Sequence, residues 1–399
     1  MFRNKLLKPR TLGLLLLLLS LPACTTENST RSPLPPEIAL NQTAARGNQL
    51  IITIRLESGE ELPFGIDTGS PMTVFDKSLE SKLGPRLGDA TMAVFGATQK
   101  TGFYKTPRLY LQNTRLKTGP YSVVIDVSPI PAGFENYRPM GILGMDCLQH
   151  YCVQLDFQSG KIRFLNPHEL NVKDLGVAFP IHFSSQGQSR TDLVRPYIQS
   201  ANLLGEDCKD LMIDTGYRVD GAVDSKFFHQ KISEQRNQPG DAVRGDNGRF
   251  WFSKSTWNSN SYTNLLLGEG GNLIGLGFLA RHLVTLDFPD RVMYLKQNST
   301  GPLMDDTMND ALAFLTSLKE NGQLPGWSKQ DEGTIYLEPF PNRDELDGRK
   351  KDDSSDYHYQ VGRAPASGAW QLQKAWRTDP NGEVIEEYPA SLTVGWPSP

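Results

Sequence analysis

The chain has 399 residues, 38% of them hydrophobic and 22% charged, with a net charge of −4 and a pI near 5.9. That length and composition allow two or three globular domains, and the absence of a basic stripe argues against nucleic acid as the main partner. Six scattered histidines, with no His-Glu-x-x-His and no paired Cys-x-x-Cys, give no metal site to expect, and no motif calls for another cofactor.

At the N-terminus, Arg3, Lys5, Lys8 and Arg10 precede the apolar run Leu12 to Leu19. The run is too short to span a bilayer as a helix and suits a signal-peptide core. Leu21-Pro22-Ala23-Cys24 follows and resembles a bacterial lipobox, although Pro22 is less usual at its position. The resemblance implies that residues 1–24 are a lipoprotein signal peptide and that Cys24 carries a lipid. The signal implies export, and Thr25 in place of Asp implies sorting to a bacterial outer membrane, with the protein facing the periplasm. A plain secretory signal cleaved near Ala23 is the alternative. Residues 25–46, rich in Pro, Ser, Thr and Asn, are expected to form a flexible tether.

From residue 47 the pattern is mainly β, with Gly and Pro at short intervals. The alternating run Gln49 to Leu56 turns at Glu57-Ser58-Gly59-Glu60 into a strand that ends on Asp67-Thr68-Gly69-Ser70. Further on, Ile142-Leu143-Gly144 leads through an expected short helix to Leu155-Asp156-Phe157. The same order then recurs. Pro196 to Leu203 turns at Leu204-Gly205-Glu206-Asp207 into a strand ending on Asp214-Thr215-Gly216-Tyr217, and Leu273-Ile274-Gly275 leads to Leu286-Asp287-Phe288. The interval from the glycine to the second Asp is the same in both copies. This is a repeat of roughly 130–150 residues, each copy large enough for a small domain. Two hairpins are expected inside the copies. One has strands near Met92 to Phe95 and Gly102 to Leu111, turning around Thr98 to Lys100; the other runs from Val243 to Trp257 and turns at Asp246-Asn247-Gly248.

On these residues the chain resembles bacterial retropepsin-like and pepsin-like aspartic peptidases over about residues 47 to 297. The resemblance implies bilobal acid-protease-type β barrels related by a pseudo-twofold axis, with lobes at 47–168 and 169–297. It further implies that Asp67 and Asp214 form a catalytic dyad and that Thr68 and Thr215 hydrogen-bond across the axis. Gly69 and Gly216 would let the turns approach each other, and the hydroxyl of Ser70 would support the outer oxygen of the Asp67 carboxylate. Tyr217 stands where the second such hydroxyl is expected, and so Asp214 is expected to be less well oriented. The chemistry is coherent, because two carboxylates within hydrogen-bond reach share a proton and can activate water without a covalent intermediate. The expected activity is that of an aspartic endopeptidase on peptide or protein substrates, one chain forming the whole site without dimerisation. The alternative is a lipoprotein of the same fold that binds peptide without turnover.

Residues 303–399 are expected to be a small α+β module of unknown role. Met304 to Leu318 has helical spacing, and β-like runs follow at Thr334 to Phe340, Tyr357 to Gly362, Trp370 to Arg377 and Val384 to Tyr388. Arg349, Lys350 and Lys351, flanked by Asp347, Asp352 and Asp353, are expected to lie in a solvated loop. Cys147, Cys152 and Cys208 are expected to be buried free thiols.

Overall fold

The computed structural model describes residues 33–388, apart from 95–96, 128–137, 186–192, 237–241, 245–247, 331–334, 339–344, 352–354 and 380. The signal segment and Cys24 therefore lie outside the described residues, as do Asp246 and Asn247 of the second hairpin turn. The fold is mainly β. Among the described residues the strands form sheets of thirteen, nine and five members.

Alternating apolar residues build the first repeat. Ile51–Leu56 and Glu61–Ile66 pair as an antiparallel hairpin that buries Ile52, Ile54, Phe64 and Ile66. The short strand Gly141–Leu143 lies parallel to Glu61–Ile66, with Leu143 opposite Ile66, and antiparallel to Val74–Asp76. The second repeat does the same. Arg195–Leu203 and Glu206–Asp214 form its hairpin, and Leu273–Gly275 lies parallel to Glu206–Asp214, with Ile274 opposite Ile213, and antiparallel to Gly221–Val223.

Each inserted strand passes through a glycine into one helical turn, Met145–Leu148 after Gly144 and Leu276–Leu279 after Gly275. Both glycines have extended backbones and conform closely to each other, at φ −99, ψ −173 and φ −103, ψ −179. Their role is close approach. A Cβ on Gly144 would stand 2.4 Å from the carbonyl oxygen of Met72, and one on Gly275 would stand 2.1 Å from that of Val219.

The repeats are joined by strand pairing as well as by the chain. Cys152–Asp156 runs antiparallel to His282–Asp287 with Gln154 opposite Thr285, and Gln154 Nε2 donates to Thr285 Oγ1 at 3.0 Å. One apolar core runs through both repeats, including Phe64, Phe75, Leu143, Ile213, Trp257 and Phe278. A long helix, Ser225–Arg236, is inserted in the second repeat and escaped the sequence reading.

Several expectations need correcting. The tether does not extend to residue 46: Ile38–Ala39 pairs with Lys161–Leu165, and Leu40, Ala44 and Ala45 are buried. The first hairpin has strands Arg86–Val94 and Ala97–Lys105, with Val94 opposite Ala97, so residues 98–100 lie in its second strand and not in a turn. Tyr104 on that hairpin is an interior strand tyrosine whose hydroxyl donates to Glu80. Cys152 begins a strand and does not continue the helix; Cys147, Cys152 and Cys208 are free and buried, as expected.

Residues 304–388 have an apolar core of their own. Asp305 caps the helix Asp306–Glu320, its carboxylate accepting from Met308 N at 3.0 Å. Met308, Ala311, Leu315 and Leu318 then face Tyr359, Val361, Leu372 and Ala375 on the five-stranded sheet. Arg349 to Lys351 belong to the strand Glu345–Lys351, which pairs along its length with Asp356–Arg363, and not to a solvated loop. The pairing outweighs the charges because Lys350 can lay its ammonium 4.2 Å from the Trp327 ring centre.

Replacing Gly144 by Ala should lower stability by about 1–3 kcal/mol, since the new methyl meets backbone that cannot rotate away. Gly84→Ala, where nothing lies within 4 Å of the added atom, should change stability by less than about 1 kcal/mol. Urea unfolding of the two variants measures the contrast; equal effects would mean that the approach at Gly144 is not tight.

Candidate active site

Asp67 follows the strand Glu61–Ile66 and Asp214 ends the strand Glu206–Asp214, so each carboxyl is presented by the turn that leaves its hairpin. The turns are locked to each other by their threonines. Thr68 N donates to Thr215 Oγ1 and Thr215 N to Thr68 Oγ1, both at 3.0 Å. The two hydroxyls donate in turn to carbonyls of the opposite repeat, Thr68 Oγ1 to Ile213 O at 2.6 Å and Thr215 Oγ1 to Ile66 O at 2.9 Å. Both threonines are buried.

The glycines bring the acids together. A Cβ on Gly69 would lie 2.6 Å from Asp214 Cγ, and one on Gly216 would lie 2.5 Å from Asp67 Cγ. Each carboxylate thus rests on the opposite turn. Each is also held by its own turn. Asp67 Oδ1 accepts from Gly69 N at 2.8 Å and Ser70 N at 3.1 Å, and Asp214 Oδ1 accepts from Gly216 N at 2.9 Å and Tyr217 N at 3.1 Å.

Asp67 and Asp214 remain partly accessible to solvent, yet protein surrounds them closely enough to disfavour charge. Burial raises the Asp67 carboxyl above the usual range. Burial first, then the neighbouring Asp67 charge, push Asp214 up to about 8. Two carboxyls this close titrate as a unit, and loss of the first proton makes the second harder to remove.

The expected contrast between Ser70 and Tyr217 is not found. The Ser70 hydroxyl donates to Met72 O at 2.8 Å and not to the carboxylate, and it is the backbone N–H of residues 70 and 217 that supports the two acids, at the same distance. A phenol at 217 therefore leaves the support of Asp214 intact. Its ring packs beside Val219, Trp251 and Leu266, and Tyr336 of the C-terminal module joins that cluster, stacked on Trp251 at 5.8 Å. Phe250, Phe252 and Trp257 of the same hairpin are core residues.

Beneath the second turn is a buried ion pair that the sequence reading missed. Arg281 Nε and Nη2 donate to Asp220 Oδ1 and Oδ2 at 3.0 and 2.8 Å, and Arg281 also reaches the carbonyls of Thr263, Asn264 and Thr300. Asp220 accepts from Leu266 N at 2.7 Å. Nothing in a lone Asp and a lone Arg sixty-one positions apart announces the pair. A surface cavity of about 670 Å³ lies elsewhere, lined by Leu40, Thr43, Phe157 and Thr307. The acids on its wall, Asp305 and Asp306, belong to a helix start. Among the described residues no cluster of His, Cys, Asp or Glu is arranged to hold a metal ion, and no helix is long and apolar enough to cross a membrane.

No family model and no curated protein matches the chain. Among solved structures it is similar to basic 7S globulin from soybean, at 10% identity and a TM-score of 0.46 over 67% of this chain and 96% of that one. The resemblance to bacterial retropepsin-like and pepsin-like aspartic peptidases with a lipoprotein signal is corrected accordingly: no family model and no curated relative supports it, the structural match is to a globulin at low likeness, and membership of that family is withdrawn. The likeness to the globulin is itself too low to carry an argument about this chain, so the functional reading rests on the geometry.

Two outcomes follow. Asp220→Ala should destabilise the protein by about 3–5 kcal/mol, because it strands a buried guanidinium; denaturant midpoints measure this, and a loss under 1 kcal/mol would show the pair to be dispensable. Asp214 is harder to ionise when folded than when unfolded, so its own contribution to stability is full below its unfolded value of 3.8 and is lost as pH rises toward about 8. Asp214→Asn should therefore barely change the melting temperature near pH 4 and raise it near pH 8.

Proposed function

We propose that the chain is an aspartic endopeptidase that hydrolyses peptide bonds with a water activated between Asp67 and Asp214. The observation that carries this reading is a pair of half-buried carboxyls, each packed against the glycine of the opposite turn and anchored by two backbone N–H groups of its own. With one proton between them, the ionised member can take a proton from water while the protonated member polarises the peptide carbonyl. A tetrahedral intermediate then collapses as the nitrogen leaving group is protonated. The partner is a peptide or protein, and both acids come from one chain, so no second copy is needed to complete the pair.

On this reading the two repeats are the lobes of an acid-protease-type pair of barrels. The pseudo-twofold axis passes between Thr68 and Thr215 and between Gln154 and Thr285. The export signal and lipid on Cys24 would place the enzyme on the periplasmic side of a bacterial outer membrane. Neither proposal depends on the other.

Cleavage of a denatured protein between about pH 3 and 7 should fall roughly a hundred- to ten-thousandfold in Asp67→Asn and in Asp214→Asn, with both variants still folded. A folded wild type that binds peptide and never cleaves it would leave the peptide-binding lipoprotein as the correct reading. For the anchor, mass spectrometry of the mature N-terminus should find lipid on Cys24, and Cys24→Ser should lose it; a free Cys24 or cleavage at another bond removes the anchor.

A further inference from the structure

The two turns are nearly symmetric, but the charge around them is not. Arg195, at the start of Arg195–Leu203 in the second repeat, reaches across to the first, where its Nε donates to Gly69 O at 2.5 Å. Gly69 is the residue that supports Asp67 through its N–H and touches the Asp214 carboxylate with its Cα side. The guanidinium thus holds the peptide on which both acids rest.

The register identifies the counterpart in the first repeat. Ile51 faces Gly65 as Tyr197 faces Met212, so the position matching Arg195 is Gln49, a neutral amide whose Oε1 lies near Gly65. The first repeat has no cation in the place from which Arg195 acts.

We propose that Arg195 is a positioning residue that breaks the symmetry of the dyad, keeping Asp67 as the ionised member that takes the proton from water and leaving the shared proton on Asp214. The inference rests on the endopeptidase reading for its catalytic meaning, but not for its physical content. The charged and titratable groups about the pair are consistent with it. Asp67 faces Asp214 and the Arg195 charge, which favours its ionised form, whereas Asp214 faces Asp67 and Tyr217, whose phenol feels the Arg249 charge. On the strands flanking Arg195, His182 and Asp210 pair with each other at 3.3 Å and Tyr197 stacks on His182.

The test compares wild type with Arg195→Met, Arg195→Gln and Arg195→Lys in two measurements on the full chain. In the first, carbon-13 NMR of labelled Asp carboxyls, assigned with Asp67→Asn and Asp214→Asn, follows the dyad from pH 2 to 9. The first ionisation should belong to Asp67 in wild type and rise by roughly one unit in the Met and Gln variants, with Lys restoring it. In the second, the acidic limb of kcat/KM for cleavage of a denatured protein should move up by the same amount, a roughly tenfold loss below the limb. A first ionisation on Asp214, or one that does not move in folded Met and Gln variants, overturns the proposal. A shift with Met but not with Gln also overturns it, since charge is then not the cause. Carboxyl titrations that shift as expected in a protein without hydrolysis would confirm the role of Arg195 and overturn the endopeptidase reading alone.

Discussion

The hydrogen bonds exchanged by Thr68 and Thr215 are the constraint from which the rest of the site follows. Buried hydroxyls must be satisfied, and here each one both accepts an N–H and donates to a carbonyl of the other repeat. The carbonyls belong to Ile66 and Ile213, the residues immediately before the two acids. Fixing them fixes where each carboxyl begins, and the glycines then leave no slack between one turn and the opposite acid. The strand pair centred on Gln154 and Thr285 sets the same relation at a second point, so the two repeats cannot rotate about the threonines alone.

The repeats brace their turns with the same chemistry carried on different elements. In the first, Thr73 on the loop donates to Asp146 on the short helix, which also accepts from Gly119 N. In the second, the acid is on the loop, as Asp220, and the matching helix position is Gly277, leaving room for Arg281 to reach it. Titration bounds the fold from both sides. His282, between Tyr262 OH and the Phe278 carbonyl, is held neutral by burial with its value lowered to about 4, so its contribution is present above 6.5 and lost as pH falls. The raised acids of the dyad act in the opposite sense, losing stability as pH rises.

Much of this was legible in the sequence where local rules and the tertiary outcome agree. The two Asp-Thr-Gly turns, their hairpins and the apolar-apolar-Gly strands could be placed because repetition doubles a weak signal, and the apolar spacing of Met304 to Leu318 marked the last helix. What was not legible depends on partners far along the chain. Residues 38–46 look like a tether by composition but are recruited by the edge strand Lys161–Leu165. The basic run at 349–351 looks solvated until Asp356–Arg363 pairs with it. Ser70 and Tyr217 differ in side chain, and the sequence could not show that the backbone N–H, common to all residues but proline, provides the support at both places.

Because each glycine is pressed against the carboxyl of the other repeat, a defect in one half of the chain is felt in the opposite half. Genetic selection should register this as a pattern. Second-site revertants of a damaged turn at 67–70 would map around 213–217 more often than to neighbouring positions, and the two copies, though alike, would be bound to change together over descent while remaining unequal in charge.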